Sequence, residues 1–469
     1  MEKFDVLIVG AGISGIGGAV HLTSKCPGKS FAILEGRAAI GGTWDLFKYP
    51  GIRSDSDMHT LGFEFKPWTD AKAIADAPAI KAYLQETADE YDLRRHIRFH
   101  HQVTQLDWSS TDACWSVTCE TGEDRKPVTL QANFLFMGTG YYSYTDPYRP
   151  EFAGQGDFKG PVIHPQFWPE HLDYQGKRVV IIGSGATAVT LVPAMAAGGA
   201  GHVTMLQRSP SYIVSRPARD RIANILNRTI PLKLAYRISR AKNIWLSVLL
   251  FKRSRAQPDK VRDFILNKAR ATLGQDYDVA THLTPRYDPW DERMCLIPDN
   301  DMFVAMAAGQ AAIVTGQIDR FTATGIRLEN GSEVPADIIV TATGLRMEIM
   351  SGVTLCVDGQ VQNLGEHLSY KGFMYSDIPN IISSFGYSNA SWTLKSDLIG
   401  HYMCRLLNHM DLTATSIATP RPDGVTMTAD AMLNLKSGYV KRALAGLPKQ
   451  GDREPWKAHH NYFVDRKNL

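Results

Sequence analysis

The chain has 469 residues and a mass of 52.0 kDa, more than one ordinary domain of about 100–200 residues. Hydrophobic residues make up 44% and charged residues 21%, which excludes a disordered or collagen-like chain. A net charge of +3 excludes a polyanion-binding surface spread over the whole molecule, so nucleic acid is not an expected partner.

At the amino terminus, Phe4 to Gly10 is a short apolar run with no helical period, as expected of a strand buried on both faces. Gly10-Ala11-Gly12-Ile13-Ser14-Gly15 follows, then an apolar helical stretch to Leu22. In such a motif Gly10 permits the tight turn, Gly12 lets the backbone approach a pyrophosphate, and Gly15 lets helix and strand pack closely. The next apolar run, Ser30 to Leu34, ends in Glu35, 20 residues beyond Gly15. That is the spacing at which a carboxylate meets ribose hydroxyls. Strand, glycines, helix, strand and acid together predict a dinucleotide site.

A second such unit begins at Arg178–Ile182 and continues through Gly183-Ser184-Gly185-Ala186-Thr187-Ala188 into a helix of small residues. Its following strand, His202 to Leu206, carries no acid at its end. Gln207, Arg208 and Ser209 stand there instead. A 2′-phosphate wants a guanidinium and a hydroxyl where a bare ribose wants a carboxylate. The first site therefore suits FAD and the second NADPH, which predicts a flavoprotein that takes hydride from a nicotinamide.

The six cysteines, at 26, 114, 119, 295, 356 and 404, show no CxxC spacing. This argues against a dithiol redox centre, a zinc knuckle or a secreted disulfide framework. No metal site is expected, and oxygen and organic molecules remain as electron acceptors. No run of about 18 apolar residues is present to span a membrane, and the start does not look like a signal peptide, so the expected location is the cytoplasm.

Between the two dinucleotide motifs lies Phe158-Lys159-Gly160-Pro161-Val162-Ile163-His164-Pro165-Gln166-Phe167-Trp168-Pro169. It resembles the FxGxxxHxxxW[PD] fingerprint of class I Baeyer–Villiger monooxygenases. Gly41-Gly42-Thr43-Trp44, Tyr49 to Asp55, Ala342-Thr343-Gly344 and Gly386 to Lys395 agree with the same family, so the resemblance spans nearly the whole chain. It implies an α/β fold of two Rossmann-like dinucleotide-binding domains with a helical insertion. The FAD domain is expected at 1–145 and 325–469, the NADP domain at 150–215 and 280–324, and the insertion at 216–279.

In that family NADPH reduces FAD, oxygen adds at flavin C4a, and the peroxide anion attacks a ketone carbonyl to give an ester or lactone. The resemblance assigns the essential arginine to Arg293 and its carboxylate partner to Asp55. A fixed cation suits this chemistry because charge stabilisation in a dry site is usually the largest catalytic effect. Cofactor contacts are implied at Gly10, Gly12, Ser14, Gly15, Glu35, Thr43, Trp44 and Asp55. On the nicotinamide side they are implied at Gly183, Gly185, Ala186, Thr187, Arg208 and Ser209. Thr343, Gly344, Asn389, Trp392 and Thr393 complete the set. Ser391 is expected to cap the helix after it, whose amides would face the flavin. Glu292 departs from the lysine common in the family, which leaves more of the NADPH preference to Arg208. His164 is expected to be a hydrogen-bonded linker residue and not a general base.

The expected partners are O2 and a small apolar ketone or sulfur-containing substrate. Met294, Trp68 and Phe385 are open between pocket wall and core. Nitrogen or sulfur oxygenation on the same scaffold, and a non-catalytic nucleotide-binding redox sensor, remain rival readings. Residues 216–255 hold eleven Lys or Arg against one acid, Asp220, with Trp245 and several leucines among them. A segment of this kind can lie on an anionic bilayer. Its apolar residues can equally face a core.

Overall fold

A computed structural model describes residues 1–433 and 437–469. The first apolar run forms the strand Lys3–Val9. Val6 and Ile8 point into one apolar layer with Ile16, Phe136 and Met403, while Leu7 and Val9 point into another with Leu34, Trp115 and Tyr375. Period-2 alternation between two dry layers is why the run reads as continuously hydrophobic.

This strand lies inside a large sheet. Its order is Gln360–Val361, Thr354–Val357, His101–Ser109, Cys114–Thr121, Lys126–Met137, Lys3–Val9, Phe31–Leu34 and Ile97–Arg98, with Ile381–Ser383 also pairing to Lys126–Met137. Val9 lies opposite both Leu34 and Met137. Three parallel strands thus end level, and Gly10, Glu35 and Gly138 follow them.

The second sheet is parallel throughout, in the order Ala311–Thr315, His202–Gln207, Arg178–Ile182, Ile338–Thr341 and Val162–Ile163. Ile182 lies opposite Leu206 and Thr341, the same level ending as in the first sheet. Gly183, Gln207 and Ala342 come next. Ligands of open parallel sheets sit at such carboxyl ends.

The expected boundary at 325 is corrected by this topology. Ile338–Thr341 pairs with Arg178–Ile182 inside the second sheet. The hairpins of Ile318–Thr322, Gly325–Leu328 and Glu333–Pro335 pack Phe321, Ile326 and Val334 against Val180 and Ile182. Only with Thr354–Val357 does the chain rejoin the first sheet. A four-residue apolar run announces a buried strand but not which sheet receives it.

Ile213–Arg216 and Cys295–Pro298 pair in a small parallel sheet of their own. Between them lie the helices Arg221–Thr229, Leu232–Ala256, Pro258–Leu273 and Val279–Leu283. The insertion is therefore helical, and its last helix runs past the expected end at 279. Among the described residues no helix is long and apolar enough to cross a membrane.

Candidate functional site

The first turn needs its glycines for measurable reasons. Gly10 has φ +99°, and a Cβ there would stand 2.8 Å from the Gly138 carbonyl oxygen. At Gly15 a Cβ would fall 1.8 Å from the Gly10 carbonyl oxygen, so no side chain fits while helix and strand stay this close. Glu35 is buried, and its two carboxylate oxygens accept the Ala11 N–H at 2.8 Å and the Arg37 N–H at 2.9 Å. Burial raises its pKa, and those two N–H donors work against the rise. Gly41 N–H donates to the Ala11 carbonyl at 3.1 Å, which lays the Gly41–Gly42 loop over Gly12. Thr43 opens the short helix Thr43–Leu46, and Trp44 packs half-buried against the first core layer.

A distant segment closes on this turn. Trp392 Nε1 donates to Ser14 Oγ at 2.7 Å, and its ring stacks on Tyr141 with centroids 5.1 Å apart. Thr393 Oγ1 donates to the Leu61 carbonyl at 2.5 Å. Ser391 occupies the N-cap position of Trp392–Leu412 but makes no cap bond. Its hydroxyl pairs instead with Thr60 Oγ1 at 2.6 Å, which corrects the expected cap. Among the described residues the first-turn amides have no side-chain acceptor at the positive end of the helix dipole. Asn389 Nδ2 donates to the His460 carbonyl at 2.9 Å, and its buried Oδ1 has no partner among the described residues.

The second turn repeats the first in a more open form. Gly183 has φ +138°, with a Cβ position 2.3 Å from the Ala342 carbonyl oxygen, whereas a Cβ on Gly185 would meet nothing within 4 Å. Gly185 and Ala186 are exposed, and Thr187 hydrogen-bonds Tyr49. Thr343 Oγ1 donates to the Tyr148 carbonyl at 3.1 Å, and Gly344 has φ +110°. Where the first sheet has Glu35, the second has Gln207, whose buried amide donates to the His282 carbonyl at 2.7 Å and Thr315 Oγ1 at 2.9 Å. Arg208 and Ser209 follow it into solvent, and Arg208 makes no ion pair among the described residues.

Arg293 and Asp55, 238 positions apart, meet with Nη2 and Oδ2 2.8 Å apart and side chains about one-third exposed (34% and 31%). Both line a cleft with Asp57, Met294, Ser388 and Asn389. The Asp55 carboxylate holds the Arg293 pKa well above its ordinary range, against the effect of burial. Sequence reading missed the tyrosines around this guanidinium. Tyr439 hydrogen-bonds it, and Tyr141 and Tyr142 share a hydroxyl–hydroxyl bond of 2.7 Å. Burial raises the pKa of Tyr142 and Tyr439. Only the position of Gly140-Tyr141-Tyr142 just past a strand end could have signalled them. Trp290, three residues before Arg293, has φ +71° and a buried indole N–H with no hydrogen-bond partner among the described residues. Strain of this kind clusters at functional sites. Burial raises the Glu292 pKa, and the Lys441 ammonium opposes it.

Met294 joins the cleft, whereas Trp68 and Phe385 are core residues. His164 Nδ1 accepts the Gln166 N–H at 3.2 Å, and burial lowers its pKa to about 4. It lines no part of the cleft. Among the described residues one cluster has metal-ligand chemistry, His21, Glu64 and His401. The Lys25 ammonium contacts the His401 ring, and Arg240 pairs with the adjoining Asp397, so side chains already supply positive charge there.

The profile of the pyridine nucleotide-disulphide oxidoreductase family matches residues 7–247. The FAD-containing monooxygenase EthA of Mycobacterium tuberculosis (strain ATCC 25618 / H37Rv) is 51% identical over 464 residues, 99% of this chain and 94% of that protein. The chain belongs to the FAD-containing monooxygenases. Among solved structures, an oxidised steroid monooxygenase bound to NADP shares the fold with a TM-score of 0.74 at 24% identity, over 90% of this chain and 88% of that one. A cyclohexanone monooxygenase bound to ε-caprolactone does so with a TM-score of 0.72 at 21% identity, over 90% and 91%. The groups around the first turn fit a flavin dinucleotide. The glycine turn admits a pyrophosphate, Glu35 can accept ribose hydroxyls, and the uncapped helix beside Asn389 offers unbound donors.

Proposed function

We propose that this FAD-containing monooxygenase consumes NADPH and O2 to convert small apolar ketones to esters or lactones, with oxidation of sulfides or thioamides as a second activity. One O2 oxygen enters the ketone beside its carbonyl, the other leaves as water, and NADPH supplies the two electrons with a proton from solvent. The carrying observation is the Arg293–Asp55 pair in the cleft next to the uncapped helix. Bound FAD supplies electron transfer and oxygen activation, and NADPH the hydride.

The proposal gives the chain's own groups the following roles, each supported by where the group lies. Glu35 holds the ribose of FAD, and the first-turn amides after Ser391 stabilise negative charge on the flavin ring. Arg208 and Ser209 hold the 2′-phosphate of NADPH, at a strand end where Gln207 brings no repelling acid. Arg293 stabilises the anionic oxygen that attacks the carbonyl, and Asp55 fixes its planar fork. The ε-caprolactone in the cyclohexanone monooxygenase is a lactone, the product class proposed here.

Nitrogen or sulfur oxygenation needs an electrophilic, protonated oxygen, which a permanent guanidinium opposes. Product analysis with a ketone and a sulfide, each with NADPH in air, tests the reading. Ester at close to one per NADPH is expected. Sulfoxide without any ester would overturn the ketone assignment.

A further inference from the structure

The helix Leu232–Ala256 is amphipathic the wrong way round. Its buried face is mostly polar, with Tyr236, Arg240 and Asn243 bonded to the first core layer's loops. Tyr236 OH donates to the Phe63 carbonyl at 2.8 Å, and Asn243 Nδ2 donates to Asp57 Oδ1 at 3.0 Å. Arg240 donates to the Gly62 carbonyl at 2.6 Å and to Asp397 Oδ2 at 3.0 Å. These bonds fix the rotation of the helix about its axis.

The opposite face is apolar and exposed. Leu234, Ile238, Trp245 and Leu249 all lie in water, Trp245 at 56%. Their spacing of i, i+4, i+11 and i+15 places them within roughly 60° of one another at 100° per residue. The preceding helix, Arg221–Thr229, packs against this one and adds Ile222 at 55% and Ile225 at 61%. A surface helix normally presents polar residues to solvent, and a contiguous exposed apolar patch marks a contact site.

Charge selects the occupant. Asp220, the one acid in residues 216–255, caps Arg221–Thr229 and is bonded to Lys242 and Asn243. Among the described residues Arg221, Arg228, Lys233, Arg237, Lys252 and Arg253 are exposed and in no ion pair. Apolar side chains between unpaired cations fit a surface that is apolar below and anionic at its boundary. We infer that these two helices form a docking face for an anionic lipid bilayer, on which Trp245, Ile225 and their neighbours insert while the basic residues meet headgroups. The inner side of the same helix gives Ser247 and Leu250 to the cleft of Arg293. Docking would therefore bring the cleft near solutes dissolved in the bilayer.

Flotation of the FAD-loaded full chain with vesicles tests this. Vesicles containing phosphatidylglycerol at low salt should carry the protein to the top of the gradient, and pure phosphatidylcholine vesicles should not. Raising salt to about 0.5 M should cut the bound fraction at least tenfold, since charge–headgroup attraction is screened. The double variant Ile225→Asp, Trp245→Asp changes only exposed positions. It should lose flotation while keeping NADPH oxidation with a water-soluble substrate, and Leu412→Asp, 87% exposed and elsewhere on the surface, should float as the parent does. No flotation of the parent at low salt would overturn the inference. So would a double variant that floats normally. So would a parent dimer that the double variant abolishes without any vesicle binding, because the face would then belong to a second copy. Flotation does not depend on turnover, so these outcomes stand apart from those of the ketone assay.

Discussion

Two arginines carry the functional reading, and each can be removed without touching a core. Arg293→Ala should fold, bind FAD and still be reduced by NADPH, because reduction needs binding and orientation more than stabilisation of an anionic oxygen. Ester yield should fall about a hundredfold or more, as at other charge-stabilising sites, and hydrogen peroxide should appear in its place. Anaerobic stopped-flow reduction followed by product yield per NADPH in air separates the two steps. An alanine variant with parental ester yield would remove the case for carbonyl attack. Arg293→Lys should rescue poorly, since a point charge does not replace a fork held at 2.8 Å by Asp55. Arg208→Ala should raise the Michaelis constant for NADPH about tenfold or more and that for NADH little, as expected for loss of a charged hydrogen bond of about 1.5–3 kcal/mol. Equal losses with both nucleotides would sink the 2′-phosphate assignment. Arg208 was marked in the sequence by its place just past a strand end and Arg293 by family resemblance, and both roles await these tests. The tyrosines around Arg293 were not so marked, because a hydroxyl becomes part of a site only when distant segments converge on it.

Helix and strand ends decide what the cofactor turn meets. Both glycine turns were readable from local sequence, since strand, turn and helix are consecutive and the glycines answer to sterics within the unit. The segment that closes on the first turn is 378 positions away, and its bonding was not readable. Ser391 looked like a cap because serine commonly is one, yet Thr60 takes its hydroxyl. Ile338–Thr341 fell inside the span expected of the FAD domain, yet it pairs with Arg178–Ile182 in the second sheet, because a short buried strand carries no local sign of the sheet that receives it. The Trp392–Ser14 bond makes a test at this scale. Trp392→Phe keeps a ring to stack on Tyr141 and removes the N–H donor. One neutral hydrogen bond is worth about 1 kcal/mol, so FAD affinity measured by reconstituting the apoprotein should drop roughly five- to tenfold. Unchanged affinity would mean that the bond orders the loop without supporting the cofactor.

The two sheets are joined where His164 is buried, so the joint itself should respond to pH. Gln166, whose N–H bonds His164 Nδ1, also donates from its side chain to the Ser143 carbonyl at 3.0 Å. The backbone of Gly344 lies against the imidazole. Residues 143 and 344 stand on the two passages of the chain between the sheets, which makes this small polar cluster a fastening between them. Burial depresses the His164 pKa from 6.5 to about 4, with the Gly344 backbone working the other way. A neutral imidazole in the folded state therefore faces one that is protonated below 6.5 when unfolded. In the window between those values the unfolded chain binds more protons, so stability is lost as pH falls from 6.5 towards 4. Between pH 7 and pH 5 this single group should cost about 2 kcal/mol. His460, also held down to about 4 by burial, adds a cost of the same sign. Urea unfolding at the two pH values gives the total, and His164→Gln isolates the part that belongs to the joint. Glutamine cannot titrate, so the variant should lose about 2 kcal/mol less than the parent on acidification, whatever its stability at pH 7. An identical loss in both proteins would place the acid sensitivity elsewhere and leave His164 as a packed linker residue with no electrostatic part in holding the sheets together.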